Sequence, residues 1–438
     1  MKKILLIGNG AREHVIAETL KKSSQDIEIF TFAKARNPGL LELSADYELA
    51  DLSDKEKLKE FVEKVAPDFC VVGPENPITD GICDFLLDMG IPSCSPLQTV
   101  GRLESSKSFA RDLLEKYGIP GNPKFKVFHS EEGLEEFFDE LGDDFVVKAD
   151  GLKGGKGVKV AGDHLNGKEE GLAYARECLE ESGKVVVDEK LIGQEFSLMS
   201  FCDGIHNVFM PCVQDHKRAF IDDKGPNTGG MGSYSCENHS MPFLQPHEIE
   251  EAKEITEKVT DALYKETGSY FKGILYGGFI ATKNGVKLIE YNARFGDPEA
   301  MNVLPLLKTD FVAVCEAQIN GTLDELEVEF EEKATVCKYV VPNGYPDNPC
   351  KDEKIEVGQA PEGVLTYFAS IDKKDDGLYL SGSRAIAFVG IADTLAEAEK
   401  LAQSALETVK GPVFYREDIG TAALVQKRVD MMKEIHGN

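Results

Sequence analysis

Apolar and polar positions along the first hundred residues fall into two repeating patterns. Ile4-Leu5-Leu6-Ile7 and Ile27–Phe32 are short apolar runs bounded by polar or glycine-containing segments, and they read as buried strands. Between residues 53 and 65, Leu58, Phe61, Val62 and Val65 recur at i, i+3, i+4 and i+7, the stripe of an amphipathic helix. Ser53 and Glu56 have the spacing of a capping box at its start. Phe69–Val72 is a third strand. Strand–helix–strand punctuation of this kind predicts an open, mostly parallel α/β sheet over residues 1–103. Ligands on such sheets sit at the carboxyl ends of strands, which puts Gly8–Glu13 and Gly73–Asn76 on one rim.

Downstream the pattern changes. Glu104–Tyr117 reads as one helix, ended by the glycine- and proline-rich Gly118–Pro123. Residues 124–192 suggest a small separate lobe. It has an acidic helix around Glu131–Glu140, strands at Phe145–Lys148, Val158–Val160 and Val185–Val187, and a second helix. From Glu195 to about Glu327 longer strands appear, including Ile274–Ala281 and Val286–Tyr291. The expected division is therefore 1–103, then 104–123 with 193–328, then 124–192 as the small lobe. An α+β segment, 329–438, follows and is expected to pack against the larger lobe.

Composition narrows the functions. The 438 residues include 49 Lys+Arg against 77 Asp+Glu, a net charge of −28. A polyanion is repelled from most of such a surface, which excludes nucleic-acid binding by bulk charge. Any smaller anionic ligand needs a local cluster of cations and backbone N–H groups. No run approaches the ~20 apolar residues that span a bilayer, so no membrane partner is expected. The apolar run after Met1-Lys2-Lys3 is too short for a signal peptide. The ten cysteines contain no C-x-x-C pair and read as reduced thiols, so the expected location is the cytoplasm.

Four segments carry candidate chemistry. Gly8-x-Gly10 follows a strand and opens a helix, the setting for an anion at a helix N-terminus. Glu13 stands at the third glycine position, and Phe30-Thr31-Phe32 lacks a ribose-binding acid, so the dinucleotide fingerprint fails. A ligand-free turn fits the same residues, and Arg12 favours the anion. The segment Val146–Val158 carries Lys148, Lys153, Lys156, Gly154, Gly155 and Gly157. Gly157 rather than Ser or Thr follows Lys156, so this is a strand–loop–strand and not a P-loop. Its glycines let backbone N–H groups approach phosphate oxygens. Glu290 and Asn292 alternate on a predicted strand and share a face. Their oxygens suit Mg²⁺, and a solvated polar face fits them equally. Arg294 continues that parity if the strand persists, and its guanidinium can clamp a carboxylate or phosphate. Gln214-Asp215-His216-Lys217-Arg218 leads into the glycine-rich Gly225–Gly232, a segment suited to enclosing a substrate.

These segments occur in order with Gly73-Pro74-Glu75, Glu104-Ser105-Ser106-Lys107, Lys148-Ala149-Asp150-Gly151-Leu152, Arg294–Glu299 and Phe414–Gly420. Over nearly its whole length the chain resembles the ATP-grasp enzymes and, more narrowly, the phosphoribosylamine–glycine ligase family. The resemblance implies an N-terminal pre-ATP-grasp α/β domain, a two-lobed ATP-grasp domain and a small C-terminal α+β domain. It implies ATP bound between the lobes. Lys107 and Lys148 would contact phosphates, with Gly154, Gly155 and Gly157 closing over them. Asp188–Leu191, including Glu189 and Leu191, would read adenine, and Glu195 the ribose. Glu290 and Asn292 would hold Mg²⁺ or Mn²⁺. Arg294, Asp215 and Lys217 would act around glycine and its acyl phosphate, and Gly10, Arg12, Glu75 and Asn227 would help hold phosphoribosylamine. The implied reaction ligates glycine to 5-phosphoribosylamine through glycyl phosphate in de novo purine biosynthesis, carried out by a monomer. Two positions depart from the family pattern: Ala11 replaces a second glycine, and Gln194 stands where Glu is frequent.

Overall fold

The computed structural model describes residues 1–153 and 157–437. Strands β1 (Lys2–Ile7), β2 (Ile27–Ala33), β3 (Asp46–Leu49) and β4 (Phe69–Val72) form an all-parallel sheet in the order β3-β2-β1-β4. Ile4 to Ile7 are fully buried, and helix Lys55–Val65 buries the four residues of its apolar stripe. Its cap is Asp54, not Ser53. The Asp54 carboxylate accepts the Lys57 N–H at 3.0 Å, while the Ser53 hydroxyl turns to Asp80. An ionised acceptor holds an end amide more strongly than a hydroxyl does. The helix expected over Glu104–Tyr117 is two helices, Gln98–Ser105 and Lys107–Lys116. They break at Ser106, whose extended backbone lets its side chain cap the Phe109 N–H.

The small lobe is an antiparallel sheet of β5 (Phe125–Phe128), β6 (Phe145–Ala149), β7 (Val158–Val160) and β8 (Val185–Glu189), ordered β5-β8-β6-β7. Helices Leu134–Leu141 and Lys168–Ser182 complete it. Its core, including Phe138, Phe145 and Val187, draws only on residues 128–187. The large lobe contains β9 (Gly193–Asp203), β10 (Asn207–Phe209), β11 (Gln214–Asp215), β12 (Arg218–Phe220), β13 (Lys224–Asn227), β14 (Gly232–Ser235), β15 (Lys272–Thr282) and β16 (Gly285–Asn292). Its main sheet runs β10-β9-β15-β16, and β12 and β13 form a separate hairpin.

The C-terminal segment does more than pack on this lobe. It adds β17 (Ala334–Pro342), β18 (Lys351–Val357), β19 (Val364–Phe368), β20 (Ile371–Lys374), β21 (Gly377–Ser381), β22 (Ile386–Ala392), β23 (Val409–Lys410) and β24 (Val413–Tyr415). Strand β17 pairs with β14, so one six-stranded sheet, β11-β14-β17-β22-β19 with β24 on β17, spans both segments. One apolar cluster correspondingly mixes Ile4 and Leu6 with Met199 and Phe201, and with Tyr339 and Ile419. Among the described residues no helix is long and apolar enough to cross a membrane. The ten cysteines are unpaired, and nine of them are buried.

Candidate active site

A buried charge seam crosses from the small lobe to the large one. Strand pairing sets Asp188 opposite Val146, so it shares a sheet face with Lys148 two residues on. Lys148 Nζ lies 2.7 Å from Asp188 Oδ2 and donates to the Ile289 carbonyl at 3.2 Å. Arg111 approaches the same carboxylate from helix Lys107–Lys116, with Nη2 at 2.7 Å. It also donates to the carbonyls of Leu288 and Ile289, each at 3.0 Å. All three side chains are almost fully buried. Burial pushes the Asp188 carboxyl up, but Arg111 and Lys148 outweigh it and hold the group below the usual carboxylate range. Burial lowers the Lys148 ammonium, with Asp188 opposing.

The loop after β6 is tied down by Asp150. Its carboxylate accepts the Ser108 N–H at 3.1 Å and the Ser108 and Ser106 hydroxyls at 2.9 and 3.2 Å, and it pairs with Lys184 at 2.9 Å. The helix break at Ser106 thus creates the donors that fix this turn. Lys107 Nζ donates to the Gly151 carbonyl at 2.8 Å, and Gly151 has φ +97°, a conformation that favours glycine. The Gly157 carbonyl accepts the Ala149 N–H at 2.8 Å, closing the loop's return. Gly154, Gly155 and Lys156 lie outside the described residues.

Where β8 ends, the Glu189 carboxylate accepts the Lys124 N–H at 2.7 Å, and a half-buried Leu191 leads into β9. Alternation along β9 buries Gln194 against Met431 Sδ and leaves the Glu195 side chain 58% exposed. A charged residue at position 194 would be buried there, so the neutral amide fits. Lys217 Nζ stands 3.9 Å from both Glu195 and Glu290. Burial opposes its charge, and the two carboxylates outweigh burial and raise the ammonium above its ordinary value. A small cavity here is lined by Glu195, Ser197, Asp215, Lys217, Tyr276 and Gly278. Burial, joined by the nearby Glu299, drives the Asp215 carboxyl well up. Glu299 accepts the Tyr276 hydroxyl at 2.8 Å and Ser197 at 3.3 Å.

On β16, Glu290 and Asn292 lie opposite Gly278 and Tyr276 and share the face expected of them. Burial raises the Glu290 carboxyl, but Lys217, Lys107, Lys148 and Arg294 reverse the shift and favour the anion. An ionised carboxylate beside an amide oxygen is an all-oxygen donor set that fits a hard divalent cation. The strand ends at Asn292, so Arg294 reaches this face from the following turn, with Nη2 3.3 Å from Asn292 Oδ1. Arg294 also pairs with Glu104 at 2.8 Å and Glu75 at 3.4 Å. The second Glu104 oxygen accepts the Ala293 N–H at 2.7 Å.

The rim residues of the N-terminal sheet adjoin this turn. Glu13 is the centre of its glycine cluster. Its carboxylate accepts the Gly10 N–H at 2.5 Å and Arg12 Nε at 2.7 Å, and a Cβ on Gly73 would fall 2.0 Å from its Oε1. The Gly10 amide therefore meets a carboxylate of the protein itself. Arg12 Nη1 donates to the Phe295 carbonyl at 3.2 Å. Burial raises Glu75, but Arg294 and Arg12 outweigh it and hold the carboxyl down at about 2. Asn227 lies opposite Arg218 at the base of the β12–β13 hairpin, and Arg218 reaches the small lobe at Asp163, 3.0 Å away.

The expected cluster of cations is thus no bare positive patch: Lys148, Lys217, Arg294 and Arg12 each face a carboxylate, because buried charge requires partners. Arg111 and Arg384 lie outside every segment that the sequence singles out for its chemistry, and Glu104 stands in one of them, Glu104–Lys107, with no role assigned to it. Arg111 had a signal, since it lies on the buried stripe with Ala110, Leu113 and Leu114, where a charge is out of place.

Family models for phosphoribosylglycinamide synthetase match three consecutive parts of the chain. The N domain matches residues 2–104, the ATP-grasp (A) domain 105–300 and the C domain 335–422. The chain belongs to the phosphoribosylglycinamide synthetase family. It is 49% identical over 443 residues to the phosphoribosylamine–glycine ligase of Methanococcus vannielii, covering 99% of this chain and 100% of that one. A crystal structure of phosphoribosylamine–glycine ligase from Thermotoga maritima is similar at a TM-score of 0.79 and 29% identity, covering 95% of this chain and 100% of that one. The biotin carboxylase domain of Hydrogenobacter thermophilus 2-oxoglutarate carboxylase, in complex with MgADP and bicarbonate, gives a TM-score of 0.71 at 16% identity, with coverage of 99% and 94%. That likeness concerns the fold alone. The three-part synthetase architecture agrees with the fold class expected from the sequence: a parallel α/β start, an ATP-grasp domain in two lobes, and an α+β end.

Proposed function

We propose that the chain ligates glycine to 5-phosphoribosylamine with ATP, giving glycinamide ribonucleotide, ADP and phosphate in purine biosynthesis. The observation that carries this reading is the full-length likeness to the Methanococcus ligase, at 49% identity through all three domains. In the first step the glycine carboxylate attacks the γ-phosphorus and ADP leaves. The amine of phosphoribosylamine then attacks the acyl carbon of glycyl phosphate, phosphate departs, and the nitrogen gives up a proton as the amide forms. Both steps need positioning and charge stabilisation rather than a side-chain nucleophile.

In this reading Lys107 and Lys148 hold the phosphates, under a loop that includes Gly154, Gly155 and Gly157. Asp188 serves as the fixed counter-charge that aims Lys148. Glu189 and Leu191 frame adenine, and Glu195 takes the ribose hydroxyls. Arg294 clamps the glycine carboxylate, with Asp215 and Lys217 around the acyl phosphate. Gly10, Arg12, Glu75 and Asn227 line the side that receives the amine. A divalent cation, Mg²⁺ or Mn²⁺, held by Glu290 and Asn292 would offset charge on the transferring phosphoryl group. We also propose the domain boundaries drawn from the sequence, a monomer, and a cytoplasmic location, the last supported by unpaired, buried cysteines.

The test follows ADP release with glycine and phosphoribosylamine supplied together and singly. Turnover that needs only one of them, or neither, would refute the ligase reading. Glu290→Ala should abolish turnover and leave the circular dichroism spectrum unchanged; wild-type rates would remove Glu290 from the cation site.

A further inference from the structure

Among the side chains that the C-terminal segment brings to the site, Arg384 touches two loops at once. Arg384 stands just before β22, which pairs with β17, and its guanidinium lies over the Tyr339 ring at 4.6 Å. Nη1 donates to three carbonyls: Gly229 at 2.7 Å, Gly230 at 3.1 Å and Asp297 at 2.8 Å. Nη2 lies 3.3 Å from the Asp297 carboxylate, whose other oxygen accepts the Tyr339 hydroxyl at 2.6 Å. The acceptors belong to two separate loops, 228–231 between β13 and β14 and Arg294–Glu299 after β16.

Those loops converge on the proposed acceptor side. Gly230 has φ +112°, and a Cβ there would fall 2.7 Å from Asp215 Oδ1 and 2.6 Å from Pro298 Cδ. The loop that Arg384 holds is therefore pressed directly onto Asp215. Asp297 looks the other way, toward the N-terminal rim: a Cβ on Gly10 would lie 3.9 Å from its Oδ2. Tyr345, also C-terminal, accepts the Gly229 N–H at 3.2 Å. One guanidinium thus fixes the spacing of loops from the ATP-grasp region against the N-terminal rim.

We propose that Arg384 is the positioning residue for the amine-accepting half of the site, and that this is what the C-terminal segment contributes to the reaction. The proposal rests on the ligase reading. Arginine is required because a planar fork can serve several carbonyls and a carboxylate at once, and an ammonium cannot. Neither the Glu290–Asn292 face nor Lys148 is among its contacts, so nucleotide binding should be spared.

The experiment uses full-length protein. Wild type must first release ADP only with glycine and phosphoribosylamine together; failure there refutes the ligase reading itself. Given an active wild type, Arg384→Ala should lower kcat/KM for phosphoribosylamine by about 100-fold, the scale of a small misplacement of reacting groups. The affinity for a non-hydrolysable ATP analogue should stay within about twofold. Millimolar guanidinium chloride should restore part of the activity of Arg384→Ala. Arg384→Lys should behave like the alanine variant, and Tyr345→Phe should shift the same parameter less. Should Arg384→Ala fail to fold, the lysine and phenylalanine variants decide. An unchanged kcat/KM in the folded variants, or a parallel fall in nucleotide affinity, would overturn the proposal.

Discussion

The small lobe and the C-terminal segment are both attached to the large lobe, by opposite kinds of joint. The small lobe keeps an apolar core of its own and meets the large lobe through Arg111, Asp188, Lys148 and the hydrogen bonds around Asp150. The C-terminal segment instead shares a backbone ladder through β14 and β17, and its Tyr339 and Ile419 belong to a cluster that includes Ile4 and Met199. A polar joint can open and reform, because water replaces its partners one at a time. A shared sheet and core open only by unfolding. The polar joint therefore lies over the proposed nucleotide site, and the shared sheet and core, the rigid side, lie behind the accepting side.

The largest expected effect comes from the polar joint. Asp188→Ala leaves Arg111 and Lys148 buried without their counter-charge, which should cost about 3–5 kcal/mol in urea unfolding and abolish binding of the ATP analogue. A loss below about 1 kcal/mol would mean that water already reaches the joint, and the contrast with the rigid side would fail.

The rigid side carries a pH-sensitive element. His14 Nδ1 accepts the Phe368 N–H at 3.0 Å, joining helix Ala11–Lys21 to β19, and a Cβ on Gly39 would fall 2.0 Å from its ring. Burial lowers His14 from 6.5 to about 4. The unfolded chain then takes up the proton first, so stability is fully present above pH 6.5 and is lost as pH falls toward 4, by about 3 kcal/mol. His216, lowered by burial to about 3, adds loss of the same sign. His14→Gln should flatten the dependence of unfolding free energy between pH 6.5 and 4. An unaltered slope would take His14 out of the joint.

The smallest effect tests whether the two lobes have a second contact that counts. Arg218 and Asp163 bridge hairpin and small lobe, but the Asp163 side chain is half exposed. Asp163→Ala should cost no more than about 1 kcal/mol and leave affinity for the ATP analogue intact. A larger loss would make the β12–β13 hairpin a second latch.

Local features of this design were legible in the sequence, and long-range pairings were not. Continuous apolar runs located β1, β2 and β4, and alternation put Glu290 and Asn292 on one face. The helix break at Ser106 had a local signal, a serine able to cap the next helix, but the contacts of Ser106 and Ser108 with the distant Asp150 had none. Asp188 read as part of an adenine hinge, yet its partner Arg111 is 77 residues away. Arg384 gave no signal, since nothing in its neighbourhood announces carbonyls of residues 229, 230 and 297. Strand β14, four residues just after Gly229 and Gly230, could not be foreseen as the seam between two segments.

That seam also bears on how the protein is made. Strand β14 finds β11 on one side nearby in the chain, but its other neighbour, β17, begins only at Ala334. A chain still emerging from the ribosome and ending before that residue presents Gly232–Ser235 as an open strand edge, a template for pairing with other nascent chains. Vectorial folding can complete the N-terminal sheet and the small lobe early. The pairing of β14 with β17 waits until the C-terminal segment has been made.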